Sequence, residues 1–515
     1  MKLQTPKNAN YCVTVVEINK LVPIEGRDRI QSAIIFSNSV IVSKTLELNT
    51  RGLYFSVESQ LGTKFLSKHN LFRDKTKNID SNQPAGFFED NGRVKCLKMG
   101  PAKSEGFFLP FHSLHEDYKE LLDLPVGTDF DYYNDECICR KYIIKDDPKT
   151  QKVKEARQGV APRFNRLVDN QFHFHIDTLQ ARRNFHIIKP DDIISITDKW
   201  HGTSGVFSNI LTKRRLKLYE KILSLLGVNI NDTLYDNIYS SRKVVKNKFE
   251  KADLIDTALS SLFKLKHCFK DLNQFKFKVA YKNFKGAFLF KSNTENNSGY
   301  YSVDVWKEVN DMIKSLIPEG ITLYVEIVGY LPDSAKPIQK GYTYECNIGE
   351  YKVLVYRITN TNHSGLVTEY SWQQIKDFCN KYGLGCVKEF YYGYAKNLYP
   401  DISLDGEVRI INDVEEHLSW NDLVLERLNT DFNLEKECPY NKGFFAEGIV
   451  IRPDKLFDCV PLKLKSFGFL SYESTVLDTG EEDIESGESN NEDYELHVIV
   501  DEETDNYLKS KGLIK

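Results

Sequence analysis

The most regular feature of the chain is a set of short stretches in which apolar and polar positions alternate, as half-buried strands do. Pro461-Leu462-Lys463-Leu464-Lys465-Ser466-Phe467 alternates strictly, so Leu462 and Leu464 face a core while Lys463 and Lys465 share the opposite face. Ile321-Thr322-Leu323-Tyr324-Val325-Glu326-Ile327-Val328-Gly329-Tyr330 places Leu323, Val325 and Ile327 on one face and Tyr324 and Glu326 on the other. A carboxylate inside so apolar a strand needs a donor, a metal or a ligand. Tyr351 to Ile358 reads as a further strand of the same domain, with Gly341-Tyr342-Thr343-Tyr344-Glu345 as a binding loop between the two. Ala446-Glu447-Gly448-Ile449-Val450-Ile451-Arg452-Pro453 puts an acid at the head of a buried strand, and Gly448 permits close backbone approach. The β-branched run Ile193-Ile194-Ser195-Ile196-Thr197 leads into Asp198-Lys199-Trp200-His201-Gly202-Thr203-Ser204-Gly205, a lysine at a strand end followed by a small Gly-Thr-Ser-Gly turn.

The remaining segments predict the domain plan. From Tyr11 to Phe111, short strands alternate with Gly, Pro and Asn turns, the pattern of a small OB-type barrel. Residues 145–154 are polar and read as a linker or surface loop. Residues 210–275 carry leucines and bases at helical spacing and are expected to be mostly helical, while 276–300 suit no single pattern. The expected fold is therefore α+β, with a barrel domain over 1–155, a second domain of antiparallel sheets and helices over 164–472, a helical insertion within 210–300, and a tail over 473–515.

Charge sharpens this plan. The chain of 515 residues has a net charge of -4, yet residues 478–505 hold thirteen acids and no lysine or arginine, so the rest carries +9. A basic body suits a polyanionic partner. Candidate strand-gripping groups are Arg242 and Lys243 beside two serines, the pair Arg182 and Arg183, and the alternating Arg93 and Lys95. No run of 18 apolar residues exists and the first ten residues hold no apolar core, so neither a membrane span nor secretion is expected. Ten cysteines without C-x-x-C pairs fit reduced thiols in a cytoplasmic protein rather than a zinc site.

The chemistry follows from the lysines and acids. A lysine held at a strand end beside a flexible turn can attack phosphorus, and the turn's N–H groups and hydroxyls can approach a phosphate. Two ammonium groups on one strand face repel unless an anion sits between them. Taken together, Lys199-Trp200-His201-Gly202-Thr203-Ser204, the Glu326 strand, Glu447-Gly448-Ile449-Val450-Ile451-Arg452 and Lys463-Leu464-Lys465 occur in the order found in covalent nucleotidyltransferases. That superfamily comprises DNA ligases, RNA ligases and mRNA capping enzymes. The chain most resembles ATP-dependent RNA ligases with an OB-type domain ahead of an ATP-grasp-like nucleotidyltransferase domain. Such enzymes seal 3′-OH and 5′-phosphate RNA ends. Ser241-Arg242 and the loop Pro337-Ile338-Gln339-Lys340-Gly341-Tyr342 are similar too, and the resemblance spans roughly residues 10 to 470.

The resemblance implies roles by position. Lys199 would form a lysyl-adenylate from ATP, and Trp200, His201, Gly202 and Glu326 would help hold the nucleotide. Tyr356 would stack on adenine, Glu447 would bind Mg²⁺ or Mn²⁺, and Lys463 and Lys465 would face the AMP phosphate. The implied partner is RNA, as a nicked duplex or broken strand ends, and the implied enzyme is a monomer. His201 stands where most of the superfamily has aspartate. A DNA ligase or capping enzyme is the rival within the same chemistry, but those usually carry the OB domain after the K-x-K strand. Here only Ser466 to Lys515 follows, and it is strongly acidic. A non-catalytic RNA-binding protein is the rival from another class.

Overall fold

The computed structural model describes residues 2–143, 163–251, 304–411, 414–432 and 435–478. The linker expected at 145–154, the part of the expected insertion at 252–303 and the tail from 479 on lie outside the described residues. What is described is a mixed α+β fold, built mostly from antiparallel sheets with few helices.

The N-terminal lobe starts with β1 (Val13–Glu17), β2 (Leu21–Pro23), β3 (Ile30–Ile35), β4 (Asn38–Ser43), β5 (Arg51–Ser56), β6 (Ser59–Leu61) and the short helix α1 (Thr63–Lys68). It ends with β7 (Gly106–Pro110), β8 (Asp129–Phe130) and β9 (Cys139–Lys141). Strands β7-β5-β1-β8 form one antiparallel sheet, β2-β3-β4 a meander, and β6 pairs with β9. Val13, Val15, Leu53 and Phe55 point inward by strand alternation and pack on Phe65, Leu66 and Tyr118. The closed barrel expected from the turn pattern is absent among the described residues. After β6 the chain turns into α1 and irregular backbone, whose Phe72 and Phe88 fill the core where further strand pairs would have closed it.

The second lobe consists of two facing sheets. Its elements in order are β10 (Leu179–Gln180), α2 (Ala181–Asn184), β11 (Ile193–Lys199), β12 (Thr203–Lys213), α3 (Leu218–Leu225), β13 (Thr233–Ser241), α4 (Val305–Ile313), β14 (Ile321–Gly329) and β15 (Tyr351–Thr361). They continue with α5 (Trp372–Tyr382), β16 (Glu389–Tyr394), α6 (Trp420–Asp431), β17 (Gly448–Pro453), β18 (Leu462–Lys465) and α7 (Phe467–Asp478). One sheet has the order β10-β18-β17-β11-β16; the six-stranded sheet runs β13-β12-β14-β15 into a short edge strand.

Helices cover the outer faces. Ile375 and Phe378 of α5, with Trp306 and Val309 of α4, pack on the six-stranded sheet, and Trp420, Val424 and Leu428 of α6 pack on the five-stranded one. Capping boxes at Ser371 with Gln374, and at Ser419 with Asp422, fix where α5 and α6 begin.

Two expectations change here. The described part of 210–275 is mainly strand, since β12 and β13 pair antiparallel from Gly205–Ser241 to Lys213–Thr233, and helix is confined to Leu218–Leu225. The spacing of charges and leucines over 213–221 does run into that helix, whereas Thr233–Ser241 pairs with β12 and buries Ile238 and Tyr239 in the sheet. The turn after Lys199 is also shorter than expected, because Thr203, Ser204 and Gly205 already belong to β12.

The lobes are tied by buried charge. Arg182 pairs with Glu105 and donates to Asn38 Oδ1 at 2.9 Å, while Arg183 pairs with Asp129. Arg93, with its side chain 1% exposed, donates to Ser474 O at 2.8 Å and pairs with Asp478 at 2.5 Å, and Lys95 joins the same carboxylate at 2.9 Å. Asn10 accepts from the Gln180 N–H at 3.0 Å and donates to Thr178 O at 2.9 Å. Among the described residues, no helix is long and apolar enough to cross a membrane.

Candidate active site

Strand register assembles the site. Across the five-stranded sheet, Lys199 of β11 lies opposite Gly448 of β17, which lies opposite Lys465 of β18; Thr197, Val450 and Lys463 form the next row. Lys199 and Lys465 therefore flank a residue with no side chain. Gly448 has φ +149°, and a Cβ there would sit 2.0 Å from Leu464 O, so the three strands can approach this closely only around glycine.

Glu447, 4% exposed, is drawn into this row. Its Oε1 lies 2.7 Å from Lys199 Nζ and 3.6 Å from Lys465 Nζ. Burial opposes its ionisation, but Lys199 and Lys465 together outweigh burial and hold its pKa below the usual carboxylate range. Lys463 has no such partner near enough. Burial first, then Lys465, Lys199 and Arg242, bring its pKa down to about 7.

The opposite wall comes from the six-stranded sheet. Ser204 of β12 pairs in register with Glu326 of β14. Glu326 accepts from the Gly202 N–H at 2.9 Å and from Ser204 Oγ at 3.3 Å. A Cβ on Gly202 would meet Ile327 O at 2.3 Å, so glycine is what lets the turn close over Glu326. Gln339 donates to Gly202 O at 2.8 Å, anchoring the turn from the loop that precedes β15.

Trp200 stacks on Tyr344 with centroids 4.3 Å apart, and the His201 N–H donates to Tyr344 Oη at 2.6 Å. The His201 ring meets Tyr342 and Phe469 edge-on at 5.0 and 4.9 Å. An aromatic bed thus holds the turn where an aspartate would have needed donors. Tyr356 Oη pairs with His175 Nδ1 at 2.9 Å, and burial raises the phenol's pKa well above its ordinary value.

Lys199, Trp200, His201, Glu326, Tyr356, Glu447, Lys463, Lys465 and Arg242 all line one pocket, and Gly202 borders it through its bond to Glu326. Arg242 also pairs with Asp177 at 2.8 Å. Lys243 does not line it, and Arg182, Arg183, Arg93 and Lys95 lie between the lobes. Sequence reasoning did not single out His175, Glu473, or Tyr11, Glu58 and Lys141 of the N-terminal lobe, all of which line the pocket. Their neighbours along the chain carry no signal of this; lobe packing brings in Tyr11, Glu58 and Lys141. Asp198, also in the wall, is pushed up to about 6 by burial.

A divalent cation fits at Glu447. Its Oε2 is buried with no hydrogen-bond partner while Oε1 faces the lysines. Among the described residues no group of three or more His, Cys, Asp or Glu side chains is arranged to hold a metal. The ion would keep several waters and share its remaining positions with substrate phosphates, as Mg²⁺ prefers.

No protein-family profile matches the chain, and no curated protein matches it. Solved structures of Naegleria gruberi RNA ligase are similar in fold. An apo variant is 11% identical with a TM-score of 0.46, covering 90% of this chain and 98% of that one. A variant solved with AMP and Mn is 11% identical with a TM-score of 0.47, covering 89% and 98%. A variant solved with ATP and Mn is 11% identical with a TM-score of 0.44, covering 90% and 97%.

Proposed function

We propose that this chain is an ATP-dependent RNA ligase that joins 3′-OH and 5′-phosphate ends through lysyl-AMP and 5′-adenylated RNA. The observation that carries this reading is one pocket with Lys199, Lys463 and Lys465 around Glu447 on one wall and Glu326 with the Gly202 turn on the other. Lys199 and Lys465 share Glu447, Lys465 is also held by Glu473, and Lys463 on the same wall would pair with an ATP phosphate.

In the first step, the unprotonated Lys199 amine attacks the α-phosphorus and pyrophosphate leaves. Glu447 Oε1, 2.7 Å from Nζ, is the acceptor at hand for the amine's proton. Lys463 and Lys465 stabilise the charge that builds on the phosphoryl oxygens. Glu326 and the Gly202 N–H position the nucleoside, and Tyr356 with His175 bounds its base. In the second step AMP passes from Lys199 to the RNA 5′-phosphate; in the third, the 3′-OH attacks that phosphate and AMP departs. Mg²⁺ or Mn²⁺ at Glu447 would supply Lewis-acid neutralisation of phosphate charge. Arg242, in the pocket wall, and Lys243, its neighbour along the chain, would meet the RNA backbone.

Incubation with ATP labelled on its α-phosphate, followed by a denaturing gel, tests the reading. Wild type should form a labelled band and Lys199→Ala none. A band that survives Lys199→Ala, or none in wild type with either metal, overturns it. Nicked duplexes with RNA or DNA on each side of the break then test strand preference, and equal sealing of DNA 3′-ends would sink the RNA-specific part.

A further inference from the structure

The strand that carries Lys465 passes directly into α7, and a residue of that helix holds the lysine. Ser466 makes the turn. Its N–H donates to Glu447 O at 2.9 Å, and its hydroxyl donates to Ala446 O at 2.7 Å and accepts from the Phe469 N–H at 3.0 Å. Glu473, further along α7 and in the pocket wall, accepts from Lys465 Nζ with both oxygens at 2.9 Å. The two side chains are 13% and 16% exposed, so the contact is poorly screened by water. Two of the three ammonium donors are thereby used, and one is left for a phosphate oxygen.

Glu473 is in turn fixed from the N-terminal lobe. Ser474, the next residue, accepts from the Cys96 N–H through its hydroxyl at 3.1 Å and from the Arg93 guanidinium through its carbonyl at 2.8 Å. One turn later Asp478 pairs with Arg93 at 2.5 Å and with Lys95 at 2.9 Å. At the start of α7, Phe467 packs on Val57 and Cys96, and Lys103 lies over its ring at 4.6 Å. The helix is therefore gripped by that lobe at its start, at Ser474 and at its end.

We propose that Glu473 is a positioning residue for Lys465, and that the N-terminal lobe sets its place through α7. The contacts run from Arg93 and Cys96 through Ser474 to Glu473 and Lys465. They continue to Glu447, which lies 3.6 Å from Lys465 Nζ and 2.7 Å from Lys199 Nζ. A lysine stem has several rotatable bonds, and Glu473 orders this one before a nucleotide arrives. Arg93 then acts on the transfer of AMP without touching the nucleotide. The catalytic consequence rests on the ligase reading; the anchoring of Lys465 does not.

Trace acylation of the full chain with acetic anhydride, read at each lysine by mass spectrometry, tests the anchor without nucleotide. Only the free amine reacts, so Glu473→Gln should raise the reactivity of Lys465 about threefold, the effect of lowering its pKa by about half a unit. Arg93→Met should raise it by about 1.5-fold through the loosened helix, and Ser474→Ala supplies a milder change if either variant folds poorly. Unchanged reactivity in Glu473→Gln overturns the anchor, and unchanged reactivity in Arg93→Met and Ser474→Ala overturns the part given to the lobe. In the labelling assay, Glu473→Gln should lower kcat for lysyl-AMP formation about tenfold, with KM for ATP changed less than about twofold and partial rescue by Glu473→Asp. In a Lys465→Met background the same substitution should cost less than about twofold, since it acts only through that lysine. Losses that multiply instead mark a general structural role and overturn the positioning one. If wild type forms no labelled band, the ligase reading fails while acylation still decides the anchor.

Discussion

The two sheets that face each other across the pocket solve the problem of buried charge in opposite ways. The six-stranded sheet presents one carboxylate, Glu326, with two fixed donors, a backbone N–H and a hydroxyl. The five-stranded sheet crowds Lys199, Lys463 and Lys465 together, with Glu447 between Lys199 and Lys465 and Glu473 of α7 against Lys465. Two unit charges 4 Å apart at an effective dielectric of 20 interact by about 4 kcal/mol. On that scale the lysine cluster is strained toward binding an anion, whereas the Glu326 wall is satisfied before any ligand arrives. On the proposed reading, one wall would meet the reacting phosphate and the other would hold the nucleoside in place.

Substitutions that break the charged wall should therefore cost most. Glu447→Gln leaves Lys199 and Lys465 without their shared acid and removes the candidate metal ligand; lysyl-AMP formation should fall by about 10²–10³-fold, read as kcat in the labelling assay. Glu326→Gln keeps the shape of the recognition wall and loses its charge. There KM for ATP should rise about tenfold with kcat little changed, and discrimination against other nucleoside triphosphates should weaken. A large kcat loss at Glu326 with an intact KM would erase the distinction between the walls. The smallest effect comes from pH. Lys463 is a cation below about 7 and neutral above it. KM for ATP should rise as pH passes upward through that value, and Lys463→Arg, which keeps its charge, should flatten the rise.

Much of this was legible in the sequence because strands have a period of two. The alternation at 461–467 puts both lysines on one face, and both line the pocket. The same holds for Glu326 against Leu323, Val325 and Ile327. Gly448 was legible as a site of close approach before its neighbours were known. What was not legible depends on partners far along the chain. Arg93, Arg182 and Arg183 read locally as cations for a nucleic acid, but Asp478, Glu105 and Asp129 meet them across the lobe interface. Glu58 and Glu473 line one pocket only because the lobes pack. The segment from 210 on read as mostly helical, and only the pairing of Thr203–Lys213 with Thr233–Ser241 and with β14 decides that most of its described part is strand.

The arginines between the lobes have a consequence for how such a chain can change over time or be rebuilt. Arg182 is 14% exposed and its partner Glu105 7%, so neither can alter its sign alone without burying an uncompensated charge. Each acid and its arginine must drift together although they belong to different lobes. The two lobes are thus matched to each other at this seam. A chimera that joins this N-terminal lobe to another chain's second lobe should fail at the seam unless the Arg93, Arg182 and Arg183 partnerships are transplanted with it.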